Sequence, residues 1–462
     1  MAEPHELTMV EQAAAVRRGE LSPVELATHY LARIEELNDA VGAYLTVTPE
    51  HALADARRAE RRLKEGGELP PLLGVPIAVK DLTPVKGVRF TVGSSVFAEQ
   101  VAEVDAYIVT LLRERGGSVL LGKTNTPEFG LPAYTENRLG PPARTPYDLT
   151  RGAGGSSGGA AAAVAAGLAP AAQGSDGGGS IRIPASCCGV VGLKPSRGRV
   201  SPAPFGDANG LAVAGPIART VRDAAALLDV MAVPAPGDPF SLPSEGRTFE
   251  EWSRRDPGRR LRIARWAQPD VAGVPVDPTV LEAYEKTSTL LAGLGHDVVD
   301  VSQPLDPGDR DAFTPVWAVM AAGIPVPPER EQELMPLTRW LRDQARQVSG
   351  TDYTRALAAM QAVGRKHAAA VAPYDAVLTP TLAQLPAPVG ALRDDDDPEA
   401  DFAAQIAFTP FTAPWNIAGL PAISLPVQRT PTGLPIGMML GAPHAAEGPL
   451  LSLAAQLEAA AG

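Results

Sequence analysis

Gly74-Val75-Pro76-Ile77-Ala78-Val79-Lys80-Asp81 sets a short apolar run between turn residues and closes it with a lysine and an aspartate. The run is too short for a helix and apolar at successive positions, so it predicts a strand buried on both faces. Lys80 then stands at the end of that strand. Working outward, Ser22-Pro23-Val24-Glu25 has the pattern of a capping box with proline at the first helical position, and predicts a helix to about Asn38. A second helix is expected over 50–65, stopped by Gly66-Gly67. On the other side, Asp105 to Arg115 has helical spacing and halts at Gly116-Gly117, and Val119-Leu120-Leu121 reads as the next strand. The same order of helix and strand returns at 279–294 and 297–301. Asp375 to Leu378 adds a strand, and Ala422 to Val427 with Ile436 to Leu440 predicts a hairpin around Thr430 to Gly433. Alternation of this kind predicts an α/β protein with a large, mainly parallel or mixed sheet.

The 462 residues include 41 Lys and Arg against 53 Asp and Glu, a formal net charge of −12 at pH 7. A general nucleic-acid binder needs clustered positive charge to meet phosphates, so that class is disfavoured. With 45% hydrophobic and 20% charged residues the composition is that of a globular protein and excludes disorder over most of the chain. The 45 glycines and 46 prolines exceed the roughly 12% ordinary for the pair, and predict many tight turns and sites built from backbone. Cys187 and Cys188 are the only cysteines and are adjacent, so an ordinary disulfide is not expected and nothing points to an oxidising compartment. Met1 to Glu6 lacks the basic-then-apolar pattern of a leader. The most apolar stretch, Ala160 to Ala172, is broken by Gly167 and Pro170 and is too short to span a bilayer. A cytoplasmic protein is expected. The stretches 233–260 and 303–350, rich in proline and charge, are expected to be surface elaboration. Asp394 to Asp397 reads as a solvated loop, since like charges in sequence repel and seldom converge on a metal.

Three glycine-rich segments compete for a chemical role. Gly117 to Thr124 satisfies the phosphate-loop pattern, but Val119-Leu120-Leu121 is strand where flexible loop is required, and Pro127 and Gly130 stand where a helix should propagate. Gly154-Gly155-Ser156-Ser157-Gly158-Gly159 satisfies the nucleophile-elbow pattern at both serines, yet no hydrophobic strand precedes it. Gly174-Ser175-Asp176-Gly177-Gly178-Gly179-Ser180-Ile181-Arg182-Ile183-Pro184 is the most informative. Its glycines let several backbone N–H groups turn toward one point, as a developing oxyanion requires, and they end at a serine. A serine needs a base. No histidine lies close in sequence; His51 and His296 are the nearest, and His367 and His444 show no local signature. A lysine can serve if burial lowers its pKa, and Lys80 is such a lysine.

Taken together these residues resemble the amidase signature family, whose hydrolases use a Ser-Ser-Lys triad. The likeness includes Gly74 to Asp81, Gly122 to Phe129, Gly154 to Gly159, Gly174 to Pro184, Cys188 to Pro195, Tyr374 to Thr381 and Asn416 to Ser424. It covers nearly the whole chain and is weakest at 233–345. The resemblance implies an α/β/α fold with a large central mixed sheet flanked by helices. It implies one domain over 1–462, with N-terminal helices at about 6–65 packed on the core and a substrate-shaping region at about 233–345. Phe313, Trp317, Met320 and Trp340 are candidate pocket residues there.

Carried over by position, the resemblance makes Ser180 the nucleophile, Ser156 the bridging serine and Lys80 the general base. The 24-residue separation of Ser156 and Ser180 fits the family spacing. A cis peptide bond is implied between Gly155 and Ser156. The N–H groups of Gly177, Gly178, Gly179 and Ser180 are the implied oxyanion hole, with Gly155, Ser157, Asp176 and Arg182 in support. One position departs: Gly177 stands where the family usually has threonine, which implies a wider pocket beside the nucleophile. No metal or organic cofactor is implied. The implied substrate is a small-molecule amide, with carbamates and esters also open, and the implied state a monomer or homodimer without nucleic-acid or membrane partner. Two alternatives stand beside this: a glutamine-hydrolysing amidotransferase A-type subunit acting with a partner, and a non-enzymatic phosphate- or nucleotide-binding module.

Overall fold

The computed structural model describes residues 3–206, 208–243 and 246–461. Eleven strands among the described residues form one sheet: β1 (Tyr44–Val47), β2 (Pro76–Lys80), β3 (Val119–Thr124), β4 (Ala171–Asp176), β5 (Val191–Lys194), β6 (Val213–Ala218), β7 (Arg262–Arg265), β8 (Asp297–Asp300), β9 (Ala376–Pro380), β10 (Ala422–Arg429) and β11 (Pro435–Gly441). Their spatial order is β1-β3-β2-β4-β6-β5-β10-β11-β9-β7-β8. The sheet is mixed. Strand β2 runs parallel to β3 and β4, and β7 runs parallel to β8 and β9, whereas β4–β6, β6–β5, β5–β10 and β10–β11 are antiparallel. The α/β expectation and the hairpin of β10 and β11 both hold.

Every residue of β2 is buried, which explains its unbroken apolar reading, and Pro76 stands at its first position, where a missing N–H is tolerated. Two large apolar clusters hold the sheet. One packs Val79, Leu120, Ile423 and Met438 with the helices Val221–Met231 and Glu447–Ala461; the other sets Ala78, Ala172 and Ile217 against the helices Pro23–Val41 and Gly158–Ala165.

The helix after Ser22 runs to Val41, three residues beyond the expected end, and stops at Gly42 in the left-handed region. Ser22 Oγ accepts from the Val24 and Glu25 N–H groups and its hydroxyl donates to Glu60, while no hydrogen bond among the described residues runs from the Ser22 N–H to the Glu25 carboxylate, so the cap lacks the reciprocal half of the expected box. The expected helix at 105–115 is split. Tyr107–Thr110 is α-helical, and Leu111–Arg115 widens into a π-turn closed by the Gly116 N–H on the Leu111 carbonyl. The alanine-rich stretch is also divided: a helix over Gly158–Ala165 ends near Gly167, and Ala171 already belongs to β4. The stretch 303–350 carries more regular structure than its composition suggests, with helices at Phe313–Ala322 and Pro336–Arg346. Asp394 to Asp397 are exposed, and Asp397 caps the helix Pro398–Phe408. No helix among the described residues is long and apolar enough to cross a membrane.

Candidate active site

Strands β2 and β4 are parallel neighbours with Val79 opposite Gln173, so Lys80 and Ser175 emerge together at their carboxyl ends. The Lys80 N–H donates to Gln173 Oε1 at 3.1 Å, and the Thr83 hydroxyl donates to the same oxygen at 3.1 Å. Lys80 Nζ lies 2.8 Å from Ser156 Oγ and 3.1 Å from Ser175 Oγ. The side chain is fully buried, and among the described residues no carboxylate forms an ion pair with it. Burial disfavours the ammonium and lowers its pKa to about 7, although the negative charge of Asp176 pulls the other way. Lys80 is therefore held where a large neutral fraction exists near neutral pH.

Ser156 sits in a loop that leads into the helix Gly158–Ala165, and the peptide bond between Gly155 and Ser156 is cis. Only glycine fits at 155, because a β-carbon there would lie 2.6 Å from the backbone nitrogen and oxygen of Tyr134. Ser157 fastens this loop to the next. Its N–H donates to the Ser180 carbonyl at 3.0 Å, its hydroxyl donates to the Ser175 carbonyl at 3.1 Å, and its Oγ accepts from the Ser175 N–H at 3.3 Å. Lys80, Ser156 and Ser180 are thus gathered at one end of the sheet. Among the described residues no hydrogen bond joins the Ser156 and Ser180 hydroxyls; the two serines are linked through the Ser157 backbone.

The glycine run between β4 and the helix Arg182–Cys188 is folded around one carboxylate. Asp176 Oδ1 accepts from the Gly179 N–H at 2.8 Å, and Oδ2 accepts from the Ile181 N–H at 3.2 Å. This corrects the oxyanion set: the Gly179 N–H is committed to Asp176, which leaves the N–H groups of Gly177, Gly178 and Ser180 as the donors free of a protein acceptor among the described residues. Arg182 grips Asp176 through Nε and Nη2, both at 2.9 Å, and also donates to the Thr412 carbonyl and to Asn416 Oδ1. Burial alone would raise the Asp176 pKa, but the Arg182 guanidinium, with Lys194 and Asn416, holds it well below the usual carboxylate range. The ion pair is buried on both sides and serves as the frame of the glycine-rich loop that ends at Ser180.

Residues without a signature of their own complete that frame. Asn416 Nδ2 donates to the Asp176 carbonyl and to Oδ1, each at 2.9 Å, and the Thr412 hydroxyl donates to the Gly178 carbonyl at 2.6 Å. Ser175, with its hydroxyl beside Lys80, was likewise not singled out. All three lie in or beside segments that carried the family resemblance, but a lone amide or hydroxyl there has no pattern that signals its target.

A cavity opens at Ser180, which keeps 8% of its surface exposed. Phe313, Trp317, Phe402 and Ile406 form much of its apolar wall, and the Asp270–Arg310 ion pair, at 2.6 Å, lies on its border. Phe313 and Trp317 face the cavity as expected. Met320 and Trp340 do not: they pack in the cluster around Leu337 and Leu341, with Trp340 against Phe402.

The competing motifs find other uses. Gly122, Lys123 and Thr124 are strand residues of β3, and buried Lys123 pairs with Asp81 at 2.6 Å, so no phosphate loop exists there. His296 bonds to Gln456 and His367 lies between Trp266 and Trp415. No histidine among the described residues hydrogen-bonds to Ser156, Ser157 or Ser180.

The amidase family profile matches residues 25–451. The 6-aminohexanoate-cyclic-dimer hydrolase of Paenarthrobacter ureafaciens is 37% identical over 479 residues, spanning 97% of this chain and 94% of that protein. The acylamidase of Rhodococcus erythropolis is 35% identical over 459 residues, spanning 98% and 95%. The solved structure of 6-aminohexanoate cyclic dimer hydrolase complexed with substrate superposes with a TM-score of 0.90 at 34% identity, covering 99% of this chain and 98% of that one. The chain belongs to the amidase signature family of hydrolases, and its mixed sheet with flanking helices is that family's fold.

Proposed function

We propose that this protein hydrolyses the C–N bond of small-molecule amides through an acyl-enzyme on Ser180, with Ser156 as proton bridge and Lys80 as base. The observation that carries the reading is the fully buried Lys80 amine at 2.8 Å from the Ser156 hydroxyl, with its pKa lowered to about 7. Neutral Lys80 takes the Ser156 proton while Ser156 takes that of Ser180, and Ser180 Oγ bonds to the amide carbon. This step requires the Ser156 hydroxyl to close on Ser180 when substrate fills the cavity; catalytic hydrogen bonds commonly tighten only in that complex. The N–H groups of Gly177, Gly178 and Ser180 receive the oxyanion, a donor of this kind being worth about 3 to 4 kcal/mol. The proton returns from Lys80 through Ser156 to the nitrogen, the C–N bond breaks and the amine leaves. Water then adds to the acyl carbon by the same relay and frees the carboxylic acid.

Two of the relatives named above act, by their names, on amides, which supports the reaction class. Carbamates and esters fall within reach of the same acyl-transfer chemistry. The test is incubation with a fluorophosphonate followed by peptide mapping, with anilides, primary amides, carbamates and glutamine assayed in parallel. A label on Ser180 and its loss in Lys80→Ala support the mechanism; an unlabelled Ser180 sinks it. Glutamine turnover above all other substrates would instead support the amidotransferase-subunit reading.

A further inference from the structure

Gly177 and Gly178 are the members of the nucleophile loop whose missing side chains face aromatic rings. A β-carbon built on it would lie 3.4 Å from Cζ3 and 3.5 Å from Cη2 of Trp317, while one on Gly178 would lie 3.6 Å from Cζ of Phe313. Neither glycine has the positive φ that bars a side chain, and both β-carbons would meet the rings at ordinary van der Waals distance, so the rings close directly on the loop backbone. Trp317 and Phe313 stack with ring centroids 5.2 Å apart and planes 22° apart, and both line the cavity that reaches Ser180. The result is an aromatic panel of two layered rings whose edges lie against Gly177 and Gly178, the N–H groups of which are free of protein acceptors among the described residues.

We infer that this panel selects amides whose acyl group is a planar, apolar ring, with Trp317 as the specificity-determining residue. The inference rests on the acyl-transfer reading above. An amide whose carbonyl oxygen points to Gly177 and Gly178 presents the substituents of its carbonyl carbon to whatever covers those glycines. The amine must escape and water must enter, so the acyl group takes the walled side. A planar ring there meets the panel face to face or edge to face, and such aromatic contacts are directional. A short alkyl acyl group cannot reach it equally well.

The test compares the 4-nitroanilides of benzoic and acetic acid, which share a leaving group, so the ratio of their kcat/KM values reports the acyl side alone. The wild-type enzyme is expected to favour the benzoyl substrate. Trp317→Leu should lower benzoyl kcat/KM about tenfold and acetyl kcat/KM by about twofold or less, the range that one aromatic contact spans. Phe313→Leu, a less buried site, provides the same reading if Trp317→Leu folds poorly, as checked by its melting curve. Equal turnover of the two anilides by wild type, no turnover of either, or equal losses in Trp317→Leu would each overturn the inference. Fluorophosphonate labelling of wild-type Ser180 is read separately: without the label the hydrolase mechanism itself fails, and with it only the aromatic selection does.

Discussion

Arg182 holds both carboxylate oxygens of Asp176, Nε to Oδ2 and Nη2 to Oδ1, each at 2.9 Å, with neither residue exposed to solvent. The pair does more than brace the loop, because the Asp176 charge also acts on Lys80 and favours its ammonium. Neutralising Asp176 therefore helps to keep the Lys80 amine deprotonated. Arg182→Gln should leave that carboxylate uncompensated, raise the Lys80 pKa and move the acidic limb of the kcat/KM profile to higher pH. Asp176→Asn should move the limb the other way. Breaking a buried pair costs about 3 to 5 kcal/mol, so the melting temperature falls in both variants. A loss of stability with an unmoved pH limb would reduce the pair to a structural brace.

Lys80 has its own pH signature. With its folded pKa lowered to about 7 by burial, the Lys80 amine is protonated below that value, and under the proposed mechanism kcat/KM should climb with pH through about 7 and then level off. Stability follows from the same shift. The unfolded lysine keeps its proton up to a pKa of 10.5 and the folded one releases it near 7, so the unfolded state binds more protons between these limits and stability rises with pH across that window. Lys80→Met removes the burial penalty. It should abolish turnover while raising the melting temperature at pH 7, and the gain should shrink as pH approaches 10.5. A variant that is both inactive and less stable at pH 7 would contradict this picture of Lys80.

What could be read from the chain alone follows from where each signal lies. Lys80 was legible because its strand is apolar on both faces and ends at that residue, so sequence order and spatial order coincide. Strand β4 was not. Ala171-Ala172-Gln173-Gly174 lacks the branched side chains that mark a strand, and alanine favours helix; the fold overrides that preference because β4 lies between β2 and β6, with Ala171 and Ala172 fully buried. Strand β7, Arg262-Ile263-Ala264-Arg265, hides its two buried residues between arginines. Asn416 reaches Asp176 across 240 positions, a distance no local pattern records. The Gly179 assignment failed for a related reason. A glycine run indicates free N–H groups, but which of them turns inward to the neighbouring carboxylate is settled only by the turn it adopts.

The phosphate-loop pattern at 117–124 carries a separate prediction. Lys123 is locked onto Asp81 at 2.6 Å with both side chains buried, so nucleotide titration should produce no binding. Lys123→Met alone should cost about 3 to 5 kcal/mol by stranding Asp81 in the core. Asp81→Leu combined with Lys123→Met should cost less than the sum of the single changes, since neither charge is then left unpaired. Chemical denaturation of the three variants reads this coupling directly. Additive losses would mean that the two charges do not depend on one another.

His367 offers the clearest acid-side test of stability. It is buried edge-on between Trp266 and Trp415, and neither ring nitrogen has a hydrogen-bond partner among the described residues. Burial lowers its pKa from 6.5 to about 4. The unfolded chain therefore binds a proton that the folded chain refuses between about pH 6.5 and pH 4, and stability falls as pH drops through that window. At pH 5 the penalty is about 2 kcal/mol, taking about 1.4 kcal/mol for each pH unit below 6.5. His367→Leu removes the proton site and keeps an apolar side chain against the two indoles. Urea unfolding at pH 7 and pH 5 should give a stability difference between variant and wild type that is more favourable to the variant at pH 5 by about that amount. An unchanged difference between the two pH values would show that the folded ring takes up its proton as readily as the unfolded one.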